Sequence, residues 1–182
     1  MKRRVAFIVI VALRLAALAG MIAWRLHLLQ TGQRVQIQCQ PIDPRSILSG
    51  DYVVLNFAIS RLARGEVQGI EGQEFREHDR VYVALQPTHE PVARAVAVGR
   101  ELEPLHRRYP LVLRGEVVRR FYPRWSKHLV VRYGVEQYFV PQREGRRIEH
   151  AMRQTSVELA VAASGESAIR RLFVGGQEVT FR

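Results

Sequence analysis

The chain has 182 residues, one cysteine and a formal net charge of +11, from 28 basic and 17 acidic residues. This length suits one domain plus one further segment, and a single cysteine excludes an intramolecular disulfide. Only Lys2 and Lys127 are lysines, so nearly all the positive charge is arginine. We interpret it as solvated surface, with attraction to anionic lipid headgroups as the alternative, and we expect no nucleic-acid partner because no basic helix or zinc spacing is present.

The N-terminus carries a segment of membrane-spanning length. Met1–Arg4 is basic, and Val5–Trp24 follows with twenty residues and a single charge. Such a run predicts a transmembrane helix, and the preceding basic residues favour a cytoplasmic N-terminus with an exported body, in the periplasm or outside the cell. The sequence before Gly20 is also typical of a signal-peptidase site, so cleavage after Ala19 stays open beside an uncleaved signal-anchor.

The one charge of the apolar run is Arg14. A central arginine costs roughly 2.5–3.5 kcal/mol on insertion scales, which is comparable to what its apolar neighbours supply. Either the side chain reaches towards the membrane surface, or it contacts a polar group of another membrane helix. Arg14 is therefore a candidate contact to an intramembrane partner.

We divide the chain into residues 1–31, a cytoplasmic stub, anchor and helix extension, and residues 32–182, an exported domain. Alternating apolar and polar residues predict strands in this domain. Glu144–Gln154 is predicted as a helix, and Ser60–Asp79 as a long loop, with one short helix within it as the alternative. Glu101–Pro110 is polar and bounded by Gly99 and Pro110. The fold class is mainly β, an antiparallel sandwich or partly open barrel with one short helix. The predicted strands are Gln33–Gln40 with Cys39 buried, Asp51–Ile59, Arg80–Gln86, Val92–Val98, Leu111–Arg119, Lys127–Val135 continued by Gln137–Val140, and a meander of Val157–Ala163, Ala168–Val174 and Gln177–Phe181 that turns at Gly175-Gly176.

The segment 41–57 combines turn residues with a strand. Asp accepts backbone N–H bonds, Pro fixes φ, Gly permits positive φ, and Arg45 can pair with either flanking aspartate. We expect a rigid loop that enters a central strand, with a binding surface as the alternative. Its candidate site residues are Asp43, Pro44, Arg45, Gly50, Asp51, Tyr52 and Leu55.

Residues 50–57, GDYVVLNF, resemble the signature of the bacterial GDYXXLXY family, with Phe57 in place of its final tyrosine. Residues 111–118, LVLRGEVV, are similar to the family's RGxV element. Residues 131–141, VRYGVEQYFVP, are similar to its second hallmark, YGIExYFVPE. We expect its aromatic residues Tyr133, Tyr138 and Phe139 to lie in the core, because they are strand residues beside Val131 and Val135, with an exposed aromatic patch as the alternative. The residues that carry this second motif are Tyr133, Gly134, Glu136, Tyr138 and Phe139.

The resemblance implies a single-anchor envelope protein of uncharacterised function and a neighbouring multi-spanning membrane protein as partner. We expect a binding or accessory domain rather than an enzyme, without a cofactor or metal. The alternative is a Ser/Lys hydrolase similar to signal peptidases, in which Ser46 or Ser49 is the nucleophile and Lys127 the base. The Ser-Met-x-Pro arrangement of those proteases is absent.

Overall fold

A computed structural model describes residues 2–41, 52–71, 73–87, 92–118, 128–141, 145, 148 and 151–180. The chain begins with one long helix, α1 (Lys2–Thr31), which the first strand, β1 (Gln33–Gln40), follows after the single residue Gly32. The part Arg4–Thr31 is long and apolar enough to cross a membrane, and its most apolar window has a mean hydropathy of 2.6. At 1.5 Å per residue α1 is about 45 Å long, more than the hydrocarbon core of a bilayer.

The predicted fold class is confirmed, since the body is mainly antiparallel β and its strands nearly close into a barrel. The remaining strands are β2 (Tyr52–Val54), β3 (Asn56–Phe57), β4 (Arg61–Ala63), β5 (Arg80–Pro87), β6 (Ala93–Gly99), β7 (Leu111–Val117), β8 (His128–Arg132), β9 (Gln137–Phe139), β10 (Thr155–Val161), β11 (Ser167–Val174) and β12 (Gln177–Glu178). One further helix, α2, spans Leu102–His106, and 3-10 turns occupy Ala58–Ser60 and Met152–Gln154.

Three sheets build the barrel. One has the order β12-β11-β10-β1-β3, another the order β4-β8-β7-β5-β6, and β2 and β9 form a separate two-stranded ribbon. A parallel bridge between Gln36 and Val92 brings β1 beside the start of β6 and narrows the gap between the large sheets. The backbone N–H of Arg114 on β7 also donates to the Gly165 carbonyl at 2.7 Å, which ties the β10–β11 turn to the other sheet.

One apolar core fills the barrel. Its largest fully buried side chains include Phe57, Ile37, Leu55, Leu113 and Leu159. A smaller cluster lies on the outer side of the β5–β6–β7 sheet, where Leu102 and Leu105 of α2 pack over the small residues Ala84 and Ala97. This second cluster explains why the polar segment Glu101–Pro110 contains a helix, because α2 covers sheet surface that would otherwise be exposed.

Several predicted elements match the structure closely. β1 has the predicted bounds, and Cys39 on it is buried, which raises the pKa of its thiol to about 12. The β5–β6 hairpin and the β10–β11–β12 meander are confirmed. Gly175 and Gly176 both have positive φ (59° and 80°), as the two-residue turn between β11 and β12 requires.

Four predicted boundaries are wrong in part. The strand Asp51–Ile59 breaks at Leu55 into β2 and β3, and Gln137–Val140 is a separate strand, β9, instead of a continuation of β8. The predicted loop Ser60–Asp79 contains β4, which pairs with β8. Of the predicted helix Glu144–Gln154, Gly145 and Ile148 are helical, whereas Met152–Gln154 is a 3-10 turn.

Candidate functional site

The β2–β9 ribbon joins the signature to the second motif. Tyr52 lies opposite Phe139, Val53 opposite Tyr138, and Val54 opposite Gln137. The paired residues of the two motifs are more than 80 positions apart in the chain. A single two-stranded unit therefore carries Tyr52–Val54 of the signature on one strand and Gln137–Phe139 of the second motif on the other.

The outer face of this ribbon is apolar and exposed to solvent. Tyr52 is 57% exposed, Phe139 60% and Val54 39%. The rings of Tyr52 and Phe139 meet edge to face, with centroids 5.4 Å apart, an arrangement that stabilises aromatic pairs. The expectation that Phe139 is a core residue is therefore wrong, because alternation along β9 turns it outward. We call Tyr52, Val54 and Phe139 the ribbon patch.

The inner face of the ribbon belongs to the core. Val53 and Leu55 are fully buried, and Tyr138 is half-buried. Burial raises the pKa of Tyr138, and the nearby Glu178 carboxylate adds to this effect. The ribbon therefore holds the patch outward on a packed base, and aromatic side chains with fixed positions bind partners at a small cost in conformational entropy.

Tyr133 anchors the second motif in the barrel. Its hydroxyl donates a hydrogen bond of 2.7 Å to the backbone carbonyl of Ile59, just after the signature strand, and its ring is 6.5 Å from that of Phe57. Burial raises the pKa of Tyr133 well above its ordinary value, with a further contribution from the Glu136 carboxylate. Phe57 is completely buried, so it occupies the last position of the signature without requiring a hydrogen-bond partner there.

A tight turn follows Tyr133 and directs the chain into β9. Gly134 has a φ of +78°, which glycine adopts without strain, and the Glu136 carboxylate accepts a hydrogen bond from the backbone N–H of Tyr133. The Glu136 backbone carbonyl accepts from the N–H of Leu55 at 2.7 Å. Glu136 thus stabilises the turn with its side chain and continues the pairing of the two motifs with its main chain.

The RGxV element lies directly beneath Tyr133. A Cβ atom placed on Gly115 of β7 would be 3.3 Å from the Tyr133 ring, 3.1 Å from the Arg132 carbonyl and only 2.4 Å from a Val131 methyl. The absence of a side chain at Gly115 therefore permits the close approach of β8. The sequence marks Gly115 only as part of the RGxV element, because the contact of Gly115 with Tyr133 depends on non-local strand pairing.

Other candidate residues lie apart from the ribbon or outside the described residues. Asp43, Pro44, Arg45, Gly50 and Asp51 lie outside the described residues, as do Ser46, Ser49 and Lys127 of the hydrolase alternative. Arg14 lies on the exposed, apolar part of α1. The roles assigned to these residues therefore stay predictions.

The polar groups on the described surface form ion pairs. His78, which has a φ of 67°, contacts the Glu116 carboxylate at 2.6 Å, and Arg100 pairs with Asp79 at 2.8 Å. The hydrogen bond from His78 lowers the pKa of Glu116, and Arg132 lowers it further. Among the described residues, no three His, Cys, Asp or Glu side chains come together as a metal site.

Comparison with known proteins gives a match to one family. No curated protein and no solved structure matches the chain. The sequence model of the GDYXXLXY protein family matches residues 14–172, which include the second half of the apolar helix, the ribbon and most of the barrel. The chain therefore belongs to the GDYXXLXY protein family.

Proposed function

We propose that this protein is an envelope protein anchored by α1, whose exported barrel binds a neighbouring integral membrane protein through the ribbon patch. The observation that carries the proposal is the exposed pair of Tyr52 and Phe139, which the pairing of two family motifs creates. Residues that serve the fold alone are ordinarily buried, whereas these two rings face solvent. Aromatic side chains on a rigid support are typical of binding hot spots.

The basic residues before the apolar run support an exported body. Lys2, Arg3 and Arg4 precede the apolar run, and such charges favour a cytoplasmic N-terminus. With α1 in the bilayer, the barrel stands on the opposite, periplasmic or external, side. The partner class follows from this placement, because an anchored domain meets proteins of the same membrane at high local concentration.

Site-specific photocrosslinking in native membranes tests the proposal. A photoreactive residue at Tyr52 or Phe139 should crosslink to an integral membrane protein, whereas the same residue at Arg64, an exposed position outside the ribbon, should not. If the protein retrieved no membrane protein above background from either ribbon position, the proposed function would be wrong.

Co-purification with a double variant tests the patch itself. Tyr52→Ser with Phe139→Ser removes both exposed rings and leaves the inner residues of the ribbon unchanged. We expect the partner yield to fall by about tenfold or more, the scale of a hot-spot loss, while the protein stays folded by circular dichroism. The matched control, Arg64→Ser with Glu103→Ser, changes two exposed residues elsewhere and should keep the full yield. Equal yields from the double variant and the control would refute the role of the patch.

A further inference from the structure

A cleft of about 520 Å³ lies where α1 meets the barrel. The last turns of α1 form one wall, with Trp24, His27 and Leu28. The opposite wall contains His106 at the end of α2 and Ala163 in the β10–β11 turn. The cleft thus begins at Trp24, the last residue of the apolar run, which is the depth at which aromatic side chains meet lipid headgroups.

The cleft combines an apolar floor with polar groups. Leu28, Leu111, Val112 and Val161 are buried along it, and His27 and Thr31 add polar atoms at its edge. His27 lines the cleft and is exposed, and the exposed Arg107 directly follows His106 in the chain. A ligand with an apolar part and an anionic part matches this division.

One atom of the cleft wall lacks a hydrogen bond. Nε2 of His106 is buried and has no partner among the described residues. A buried polar atom without a partner is destabilising, and such atoms in native proteins call for an explanation. Because His106 lines the cleft and χ2 of an imidazole is a soft torsion, rotation of the ring can turn a nitrogen towards the cleft, where an anionic oxygen would satisfy it.

The joint between α1 and the barrel keeps this cleft at a fixed place. Arg25 donates to the Ser167 carbonyl at 3.1 Å, Trp24 Nε1 lies 3.4 Å from the Glu166 carboxylate, and Leu28 is buried against the body. Since the apolar run ends at the mouth of the cleft, a lipid beside α1 can reach the cleft with its headgroup while its acyl chains stay in the bilayer.

We propose that this cleft binds one phospholipid of the surrounding membrane, with the phosphate at His106 and the glycerol region against the apolar floor. The ribbon patch is not involved, because none of the described residues that line the cleft belongs to the ribbon. The inference rests on the proposed anchoring of α1 in a membrane, but it is independent of partner binding by the ribbon patch.

Native mass spectrometry of the full chain, released from nanodiscs of phosphatidylcholine and phosphatidylglycerol, tests this inference. The wild type should retain one phospholipid through mild activation. His106→Phe keeps the ring shape without the nitrogens, and Ala163→Phe fills the cleft from an exposed turn position. Each should lower the retained-lipid fraction by about tenfold, the effect of losing one charge-assisted hydrogen bond or the space itself. Arg64→Ala serves as control and should retain lipid as the wild type does.

Thermal melting of the delipidated protein separates lipid binding from a fold defect. Without lipid, His106→Phe should melt at or above the wild-type temperature, because it removes an unpaired buried nitrogen. Added phospholipid should raise the melting temperature of the wild type but not of His106→Phe. The inference is overturned if the wild type retains no phospholipid, if it retains only free fatty acid, or if His106→Phe retains phospholipid at the wild-type level.

Discussion

Removal of the Tyr133 hydroxyl measures how strongly the second motif is tied to the barrel. Tyr133→Phe deletes one buried hydrogen bond of 2.7 Å to the Ile59 carbonyl and leaves the ring in place. Tyr133 is only 7% exposed, so water does not replace the lost donor. An unpaired buried acceptor costs about 1–3 kcal/mol, and the variant should unfold more easily by that amount.

This free energy converts to a melting shift that is easy to measure. For a domain of about 150 residues, 1 kcal/mol corresponds to a shift of about 2–4 °C, so Tyr133→Phe should melt roughly 2–12 °C below the wild type. Circular dichroism of the full chain in detergent provides the measurement, with chemical denaturation as the equilibrium check.

The matched control makes the same chemical change at an exposed tyrosine of the ribbon. Tyr52→Phe also deletes one hydroxyl, but the Tyr52 side chain is 57% exposed and water can solvate the groups around it. This control should melt within about 1 °C of the wild type, as surface substitutions usually do. Identical melting of Tyr133→Phe and Tyr52→Phe would refute the argument, because it would mean that the buried hydrogen bond contributes nothing to stability.

Three further changes test other parts of the structure. Gly115→Ala forces a Cβ within 2.4 Å of Val131, so denaturation should reveal a loss of about 1–3 kcal/mol, and an unchanged midpoint would contradict the close approach. Because burial raises the pKa of Cys39 from 9.0 to about 12, its thiol keeps a proton on folding that the unfolded chain loses. The contribution of the Cys39 thiol to the free energy of unfolding is therefore complete below pH 9 and should fall by about 1 kcal/mol per pH unit towards pH 12. Unfolding curves of Cys39→Val, measured in parallel, provide the reference. Arg14→Leu should leave the protein in the membrane fraction and lower the co-purified partner, whereas a full partner yield would assign Arg14 to the membrane surface.

Local sequence patterns were sufficient for the long elements. β1 alternates apolar and polar residues over enough positions for the period of two to be clear. β10 contains a short, mainly apolar run that is typical of a buried strand. The glycine pair at 175–176 permits a turn that few other residues can adopt. In these segments, the local backbone preference and the pattern of burial agree.

Short elements depend on contacts that no local pattern encodes. β4 has three residues and exists because β8 supplies its hydrogen-bond partners. α2 has five residues and is held by packing on Ala84 and Ala97. The break at Leu55 follows from its exchange of partners, since β2 pairs with β9 while β3 pairs with β1. The preference for a core position of Phe139 was wrong for the same reason, because its outward direction depends on this register.

The absence of a linker between α1 and β1 has a consequence for encounters within the membrane. Only Gly32 separates the helix from the strand, and its N–H donates to the Leu28 carbonyl at 2.9 Å. A domain on a flexible tether explores a hemisphere and tolerates targets at many heights. With α1 in a bilayer, as we propose, the barrel would rotate with its anchor, and the ribbon patch would sweep one circle at constant height above the membrane. The effective concentration is then high for a target on that circle and close to zero elsewhere, so selectivity begins with geometry before any side chain makes contact.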